Sequence, residues 1–340
     1  MAVLLFCSAH GAPGVTTTAL ACALTWPADV LLADCDRDPS QAVLAGYLQG
    51  TDAGGRGLAA LAQAHRDGLD LVGEVRTQSV PLGDDSTTRR WFLPGFTHAS
   101  SVAWFAPVWP GLAEAMAERA RLGCDVIVDG GRIGRDGLPG PLVARADRVA
   151  VVVRSSLPDL AALRLALPDL RSALADGGGF AQLGLVVVGP GRPYTEREIA
   201  AQFRLPVWGV LPWAPKDAAL LADGAGTQTA RLADRPLLRA ARALASSMFA
   251  AAASEADRVG QAGVAGTGPS PNPEDPASAS PIWRRAQVRD GRLAGAGVPR
   301  RPGEPGQRWG RRLLRPGLIT SEEGGPRAGD APERTGAGRV

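Results

Sequence analysis

A chain of 340 residues with 45% hydrophobic residues can bury a substantial core, and its length suits one to three domains of ~100 to 200 residues. No stretch reaches the ~20 apolar residues of a membrane span, and no repeat of ~20 to 50 residues marks a solenoid or propeller. The four cysteines (Cys7, Cys22, Cys35, Cys124) show neither CxxC nor metal-ligand spacing and read as reduced core thiols, and the formal net charge is only +3.

From the N-terminus, Ala2 to Cys7 reads as a buried strand, followed by a glycine turn and an Ala/Leu-rich helix from Thr16 to Leu24. Val30 to Asp34 is the next strand, and Gln41 to Leu48 the next helix. The stretch from Gly50 to Thr88 is Gly-rich and polar; Leu58 to Ala64 is its one good helix, and a weak edge hairpin is expected around Leu69 to Val75. Strands follow at Arg90 to Leu93, Cys124 to Asp129, Arg148 to Arg154, Leu183 to Val188 and Val207 to Leu211. Helices are expected at Gly111 to Leu122, Leu157 to Leu174, Glu196 to Phe203 and Pro236 to Ala253.

Aliphatic runs alternating with helices imply an α/β fold, a largely parallel twisted sheet of about seven strands with helices on both faces and a ligand site at the strand C-termini. After Ala253 the composition turns to Gly, Pro, Ser and Arg, which divides the chain into a folded domain, residues 1–253, and a disordered basic tail, residues 254–340. The tail holds 14 Arg against 10 acidic residues, leaving the rest of the chain nearly neutral. Its Trp and Leu, interleaved with Arg around Trp283 and Trp309, suit contact with an anionic membrane surface or nucleic acid; a tail without a binding role is the alternative. The expected location is the cytoplasm, with peripheral membrane or nucleoid association left open.

Three segments carry chemistry. The first strand runs into His10-Gly11-Ala12-Pro13-Gly14-Val15-Thr16-Thr17 and then a helix, which is the context of a phosphate loop. Small residues let backbone N–H groups and the helix N-terminus face an anion, and a Thr at the helix start can ligate Mg²⁺. The second segment is Asp34-Cys35-Asp36-Arg37-Asp38, three carboxylates closing a strand; the plainer reading is a strand end capped by Asp. The third is Asp125-Val126-Ile127-Val128-Asp129-Gly130-Gly131-Arg132, a strand ending in an acid and two glycines.

Taken in order, these segments resemble the ParA/MinD family of deviant Walker A ATPases, whose loop reads K-G-G-x-G-K-T-T. Two later segments extend the resemblance, Ala146-Asp147-Arg148-Val149-Ala150-Val151-Val152-Val153 and Leu205-Pro206-Val207-Trp208-Gly209-Val210-Leu211-Pro212. Aligned on Gly11, Gly14, Thr16 and Thr17, both loop lysines are replaced, by His10 and Val15, and the chain's only lysine is the distant Lys216. The resemblance implies ATP and Mg²⁺ as ligands, with residues 10–17 on the nucleotide, Thr16 and Asp129 on the metal, and Asp34 with Asp36 (or Asp38) as catalytic acids. It also implies a homodimer, a protein partner, and a role in partitioning, septum placement or pilus and secretion assembly. Without the lysines hydrolysis is expected to be slow or absent, because charge placement dominates phosphoryl transfer. A nucleotide-independent scaffold with a vestigial loop is the alternative.

Overall fold

The computed structural model describes residues 1–11, 13–83, 87–178, 181–224 and 232–265, the side chains of 255–265 excepted. An eight-stranded sheet runs in the order β3-β4-β2-β5-β1-β6-β7-β8. Its strands are β1 (Val3–Ser8), β2 (Val30–Asp34), β3 (Val80–Gly83), β4 (Arg90–Leu93), β5 (Asp125–Arg132), β6 (Arg148–Arg154), β7 (Gln182–Val188) and β8 (Val207–Leu211). All neighbours are parallel except β3, which pairs antiparallel with β4. The helices are α1 (Val15–Leu24), α2 (Leu58–Arg66), α3 (Leu71–Thr77), α4 (Ala99–Trp104), α5 (Trp109–Arg121), α6 (Gly140–Arg145), α7 (Leu157–Asp176), α8 (Glu196–Phe203), α9 (Pro215–Ala222) and α10 (Pro236–Ala265).

The continuous apolar strands follow from burial on both faces. Along β1 the side chains of Val3, Leu5 and Cys7 enter one core with helices α2, α3, α5, α6, α7 and α8, while Leu4 and Phe6 enter a second core with α1, α9 and α10. Period-two alternation thus serves two apolar layers instead of one apolar and one wet face. The central position of β1, with the chain crossing over to either side of it, puts a crevice outside its C-terminal end.

The differences from the sequence reading have local causes. The residues around Leu69 to Val75 form helix α3 and not a hairpin, because Asp70 caps it, its carboxylate accepting from the N–H groups of Val72 and Gly73. The hairpin comes one element later, as β3 against β4. Strand β3 is the eighth strand, short and at the sheet edge, where Pro81 is tolerated. Between β2 and α2, Gln41 to Leu48 narrows to a single wide, π-type turn, Val43–Tyr47, where a Cβ on Gly46 would lie 2.0 Å from the Ala222 carbonyl oxygen of α9. Helix α10 continues past Ala253 to Ala265, since no glycine or proline interrupts it before Gly260. The remainder of the expected disordered tail, with its Arg block, lies outside the described residues.

Candidate functional site

The site is built at the C-terminal ends of β1, β2 and β5. After β1 the chain turns sharply, with Gly11 at φ +61° and Gly14 at φ +96°, conformations that favour glycine. Gly14 is the N-cap of α1, and its carbonyl accepts the Thr18 N–H at 2.8 Å. Ala12 lies outside the described residues. No side chain caps α1, so its first N–H groups point toward the crevice without a side-chain acceptor. Pro13 and Gly14, with the hydroxyl side of α1, edge that crevice.

The two positions where the resemblance places lysine have different fates. Val15 is 6% exposed and packs into the apolar core with Ala19 and Phe6, so position 15 faces inward. His10 is exposed and its Nδ1 lies 3.9 Å from Oδ1 of Asp159 on α7. Asp159 is one site residue that sequence reasoning missed. It is buried, accepts from the Ser156 hydroxyl, and lies 3.8 Å from where a Cβ on Gly11 would stand, so a carboxylate borders the loop. Its local signal, an acid in the first turn after Ser156-Leu157-Pro158, is common to most helix starts.

Three of the acids lie close together. Asp34 and Asp129 are partners in the β2–β5 register, and the Cys35 N–H donates to the Asp129 carbonyl at 2.8 Å. Asp129 accepts the Gly131 N–H at 3.0 Å, and the nearby Thr16 hydroxyl favours its charged form. Asp36 joins them. Its N–H donates to Asp34 at 3.2 Å, and its carboxylate lies so close to Gly131 that a Cβ there would be 2.0 Å away. At Gly95, in the loop after β4, an added Cβ would likewise lie 2.6 Å from the Asp34 carboxylate. The Asp38 side chain stands apart: it is exposed and pairs with Arg132 at 2.8 Å.

Crowding and burial set the protonation of these groups. Burial foremost, and the Asp36 charge, push Asp129 up to about 6 against the opposing Thr16 and Gly131 hydrogen bonds. Burial and the Asp129 charge hold Asp34 well above the ordinary carboxylate range. Burial also raises Asp36, opposed by its bond from Asp38 N–H and by Arg132 and Arg37. The neighbouring Cys7 thiol is pushed up to about 12, again chiefly by burial, so it is not a nucleophile.

Among the described residues no group of three or more His, Cys, Asp or Glu has metal-holding geometry. The Thr16 hydroxyl with one carboxylate, Asp129, instead fits the way Mg²⁺ is held beside phosphates, through few protein ligands and retained waters. The positive-φ glycines and the unfilled N-terminus of α1 fit a phosphate.

Beside the loop lies a cavity of about 270 Å³ between α1 and the ends of β6, β7 and β8, with Arg154 and Trp213 in its wall. The Arg154 guanidinium stacks over the Trp213 ring at 5.0 Å from its centroid. The loops forming that wall are tied together. Ser155 Oγ donates to the Gly189 carbonyl and accepts from Arg192 N–H at 3.1 Å, and Gly189 N–H donates to Leu211 carbonyl at 2.9 Å.

No protein-family model matches the sequence, and no curated protein matches it. Solved structures do. The MinC:MinD cell division protein complex of Aquifex aeolicus is similar with a TM-score of 0.56 at 15% identity, covering 74% of this chain and 96% of that one. A ParA family ATPase from Chlorobium tepidum gives 0.56 at 18% identity, covering 72% and 97%. The septum site-determining protein MinD of Pyrococcus horikoshii, complexed with Mg-ADP, gives 0.53 at 15%, covering 73% and 95%. Identity this low speaks to fold, and the fold is that of the MinD and ParA P-loop ATPases. No helix among the described residues is long and apolar enough to cross a membrane.

Proposed function

We propose that the chain is a positioning or partitioning protein of the ParA/MinD type that binds a nucleoside triphosphate with Mg²⁺, dimerises over it, and turns it over slowly or not at all. One observation carries the reading: Asp129, Asp34 and Asp36 cluster near Thr16 beside an uncapped helix start, while both lysine positions lack a lysine. In this reading the N-terminus of α1 and Gly11 to Thr17 hold the phosphates. Thr16 and Asp129 hold the metal, whose charge offsets that of the phosphates. Asp34 and Asp36 orient water, and Asp36 is preferred to Asp38 because it alone of the two packs into the cluster. ATP is the nucleotide the resemblance implies. With neither lysine present, the transition-state charge lacks its usual counter-charge and turnover falls. The Arg-rich tail would serve as an accessory contact to an anionic membrane surface or nucleic acid.

Light scattering of the full-length chain with Mg²⁺-nucleotides tests this, with phosphate release followed in parallel. The expected result is a shift from monomer to dimer mass with phosphate release near background, both unaltered by Asp34→Ala. Rapid release abolished by Asp34→Ala would make the chain an active ATPase, contrary to the proposal.

A second reading, a nucleotide-independent scaffold, is favoured by Asp159, whose buried carboxylate borders the loop where a phosphate would bring more negative charge. In that case Thr16→Ala leaves partner recruitment intact and deletion of the tail abolishes it.

A further inference from the structure

The loops that follow β2 and β5 are joined by two arginines, one crossing in each direction. Arg37, between Asp36 and Asp38, donates from Nη2 to the Gly137 carbonyl, and the same nitrogen lies 3.1 Å from where a Cβ on Gly134 would stand. Arg132, at the end of β5, reaches back and pairs with Asp38 at 2.8 Å. What Arg37 grips is itself anchored. Gly134 and Gly137 close a turn, the Gly137 N–H donating to the Gly134 carbonyl at 3.2 Å, and the adjoining Ile133 N–H donates to the Ser8 carbonyl of β1 at 2.7 Å.

Asp36 belongs to the loop that these contacts hold. Its carboxylate is packed on Gly131, where an added Cβ would be 2.0 Å away, and it accepts the Asp38 N–H at 2.9 Å. The two arginine contacts do not weigh equally. The Arg132 and Asp38 side chains are 51% and 70% exposed, and an exposed pair contributes little. Arg37 instead has its Nε buried, with no acceptor among the described residues. A buried donor without an acceptor costs folding free energy, so the Arg37 guanidinium is poorly explained as a stabilising group and better explained as one that fixes the spacing of two loops.

We propose that Arg37 is a positioning residue for the metal, a role that rests on the reading of Thr16 and Asp129 as metal ligands given above. By holding the loop after β2 to the Gly134–Gly137 turn, it keeps Asp36 beside the Asp34–Asp129 pair, where a carboxylate can accept from water on Mg²⁺. Mg²⁺ beside phosphates retains several waters, and groups that orient a metal's ligands from outside the coordination sphere typically change metal affinity by ~10 to 100-fold when lost.

The test is calorimetric titration of the full-length chain with ATP in Mg²⁺ and again in excess EDTA, with urea unfolding of each variant alongside. Arg37→Met keeps the aliphatic stem and removes the guanidinium. It should weaken binding in Mg²⁺ by about tenfold or more and leave binding in EDTA unaltered, while the urea midpoint of the ligand-free protein stays the same or rises. Arg37→Lys, which returns a charged donor for the Gly137 carbonyl, should recover most of the Mg²⁺-dependent affinity, and Arg132→Gln should lower it by less than about fivefold. Unchanged affinity in Arg37→Met would overturn the positioning role and leave the nucleotide reading standing. A lowered midpoint or failure to fold would overturn it too, making Arg37 a structural residue, as would an equal loss in Mg²⁺ and in EDTA. Wild-type binding indifferent to Mg²⁺ would remove the metal and this role together while leaving nucleotide binding. No binding of ATP at millimolar concentration would overturn both the role and the reading it rests on.

Discussion

At the scale of single residues, the site sets hydroxyl and carboxylate groups beside a loop that carries no lysine. Position 15 is the plainest case. Val15, where the resemblance would place a loop lysine, is buried in the core with Ala19 and Phe6. Val15→Lys is therefore expected to destabilise the ligand-free protein by about 1–3 kcal/mol in urea, through a buried unpaired ammonium; an unchanged midpoint would mean that position 15 opens into the crevice. Asp129 supplies a pH prediction. Its folded pKa of about 6 lies above the ordinary 3.8, so between these values the folded state keeps a proton that the unfolded chain has lost. Stability contributed by this group thus falls as pH rises from about 4 to about 6 and stays low above that. Asp129→Asn should raise the stability of the ligand-free protein at pH 7 by roughly 1–3 kcal/mol and flatten that part of the pH profile. Loss of stability at pH 7 would contradict it. The same substitution should weaken Mg²⁺-dependent nucleotide binding, which separates the cost of the charge from its use.

At the scale of elements, most of the framework was legible, and the exceptions are instructive. Arg148–Arg154 and Val207–Leu211 were read at their observed limits because aliphatic runs between turns have few alternatives in a two-sided sheet. The Asp34–Asp129 pairing was not read from the sequence; it arises because two strands ending in acids are neighbours in one parallel sheet. Helix α3 was not legible, because its seven residues carry too little periodicity and its start depends on one Asp70 side chain. Asp159, Gly95 and Arg154 belong to the site only through tertiary approach: β6 and its following helix meet the loop more than a hundred residues away in sequence, and nothing local marks that meeting. Helix α10 completes the core over α1 and β8. Leu244 is buried there, against Gly209, where an added Cβ would lie 2.7 Å from it. Leu244→Ala is expected to cost about 2–5 kcal/mol by denaturant unfolding; a cost below 1 kcal/mol, on the scale of a surface change, would show that α10 is not part of the cooperative unit.

At the scale of the whole molecule, the fold brings a phosphate-type loop, a carboxylate cluster and a cavity to one end of one sheet, which is how an open α/β sheet presents a ligand site. What distinguishes this chain is electrostatic. The loop is bordered by a buried carboxylate, and His10 and Val15 stand where the resemblance places lysines, so the proposed binding draws on backbone N–H groups, the α1 dipole and the metal. The central claim is that these suffice. It is tested most directly by calorimetric titration of the full-length chain and its Thr16→Ala variant with MgATP and MgGTP. The account predicts saturable binding to the wild type that depends on Mg²⁺ and is weakened at least about tenfold by loss of the Thr16 hydroxyl. Absence of binding at millimolar nucleotide, or binding indifferent to both Mg²⁺ and Thr16→Ala, would contradict it.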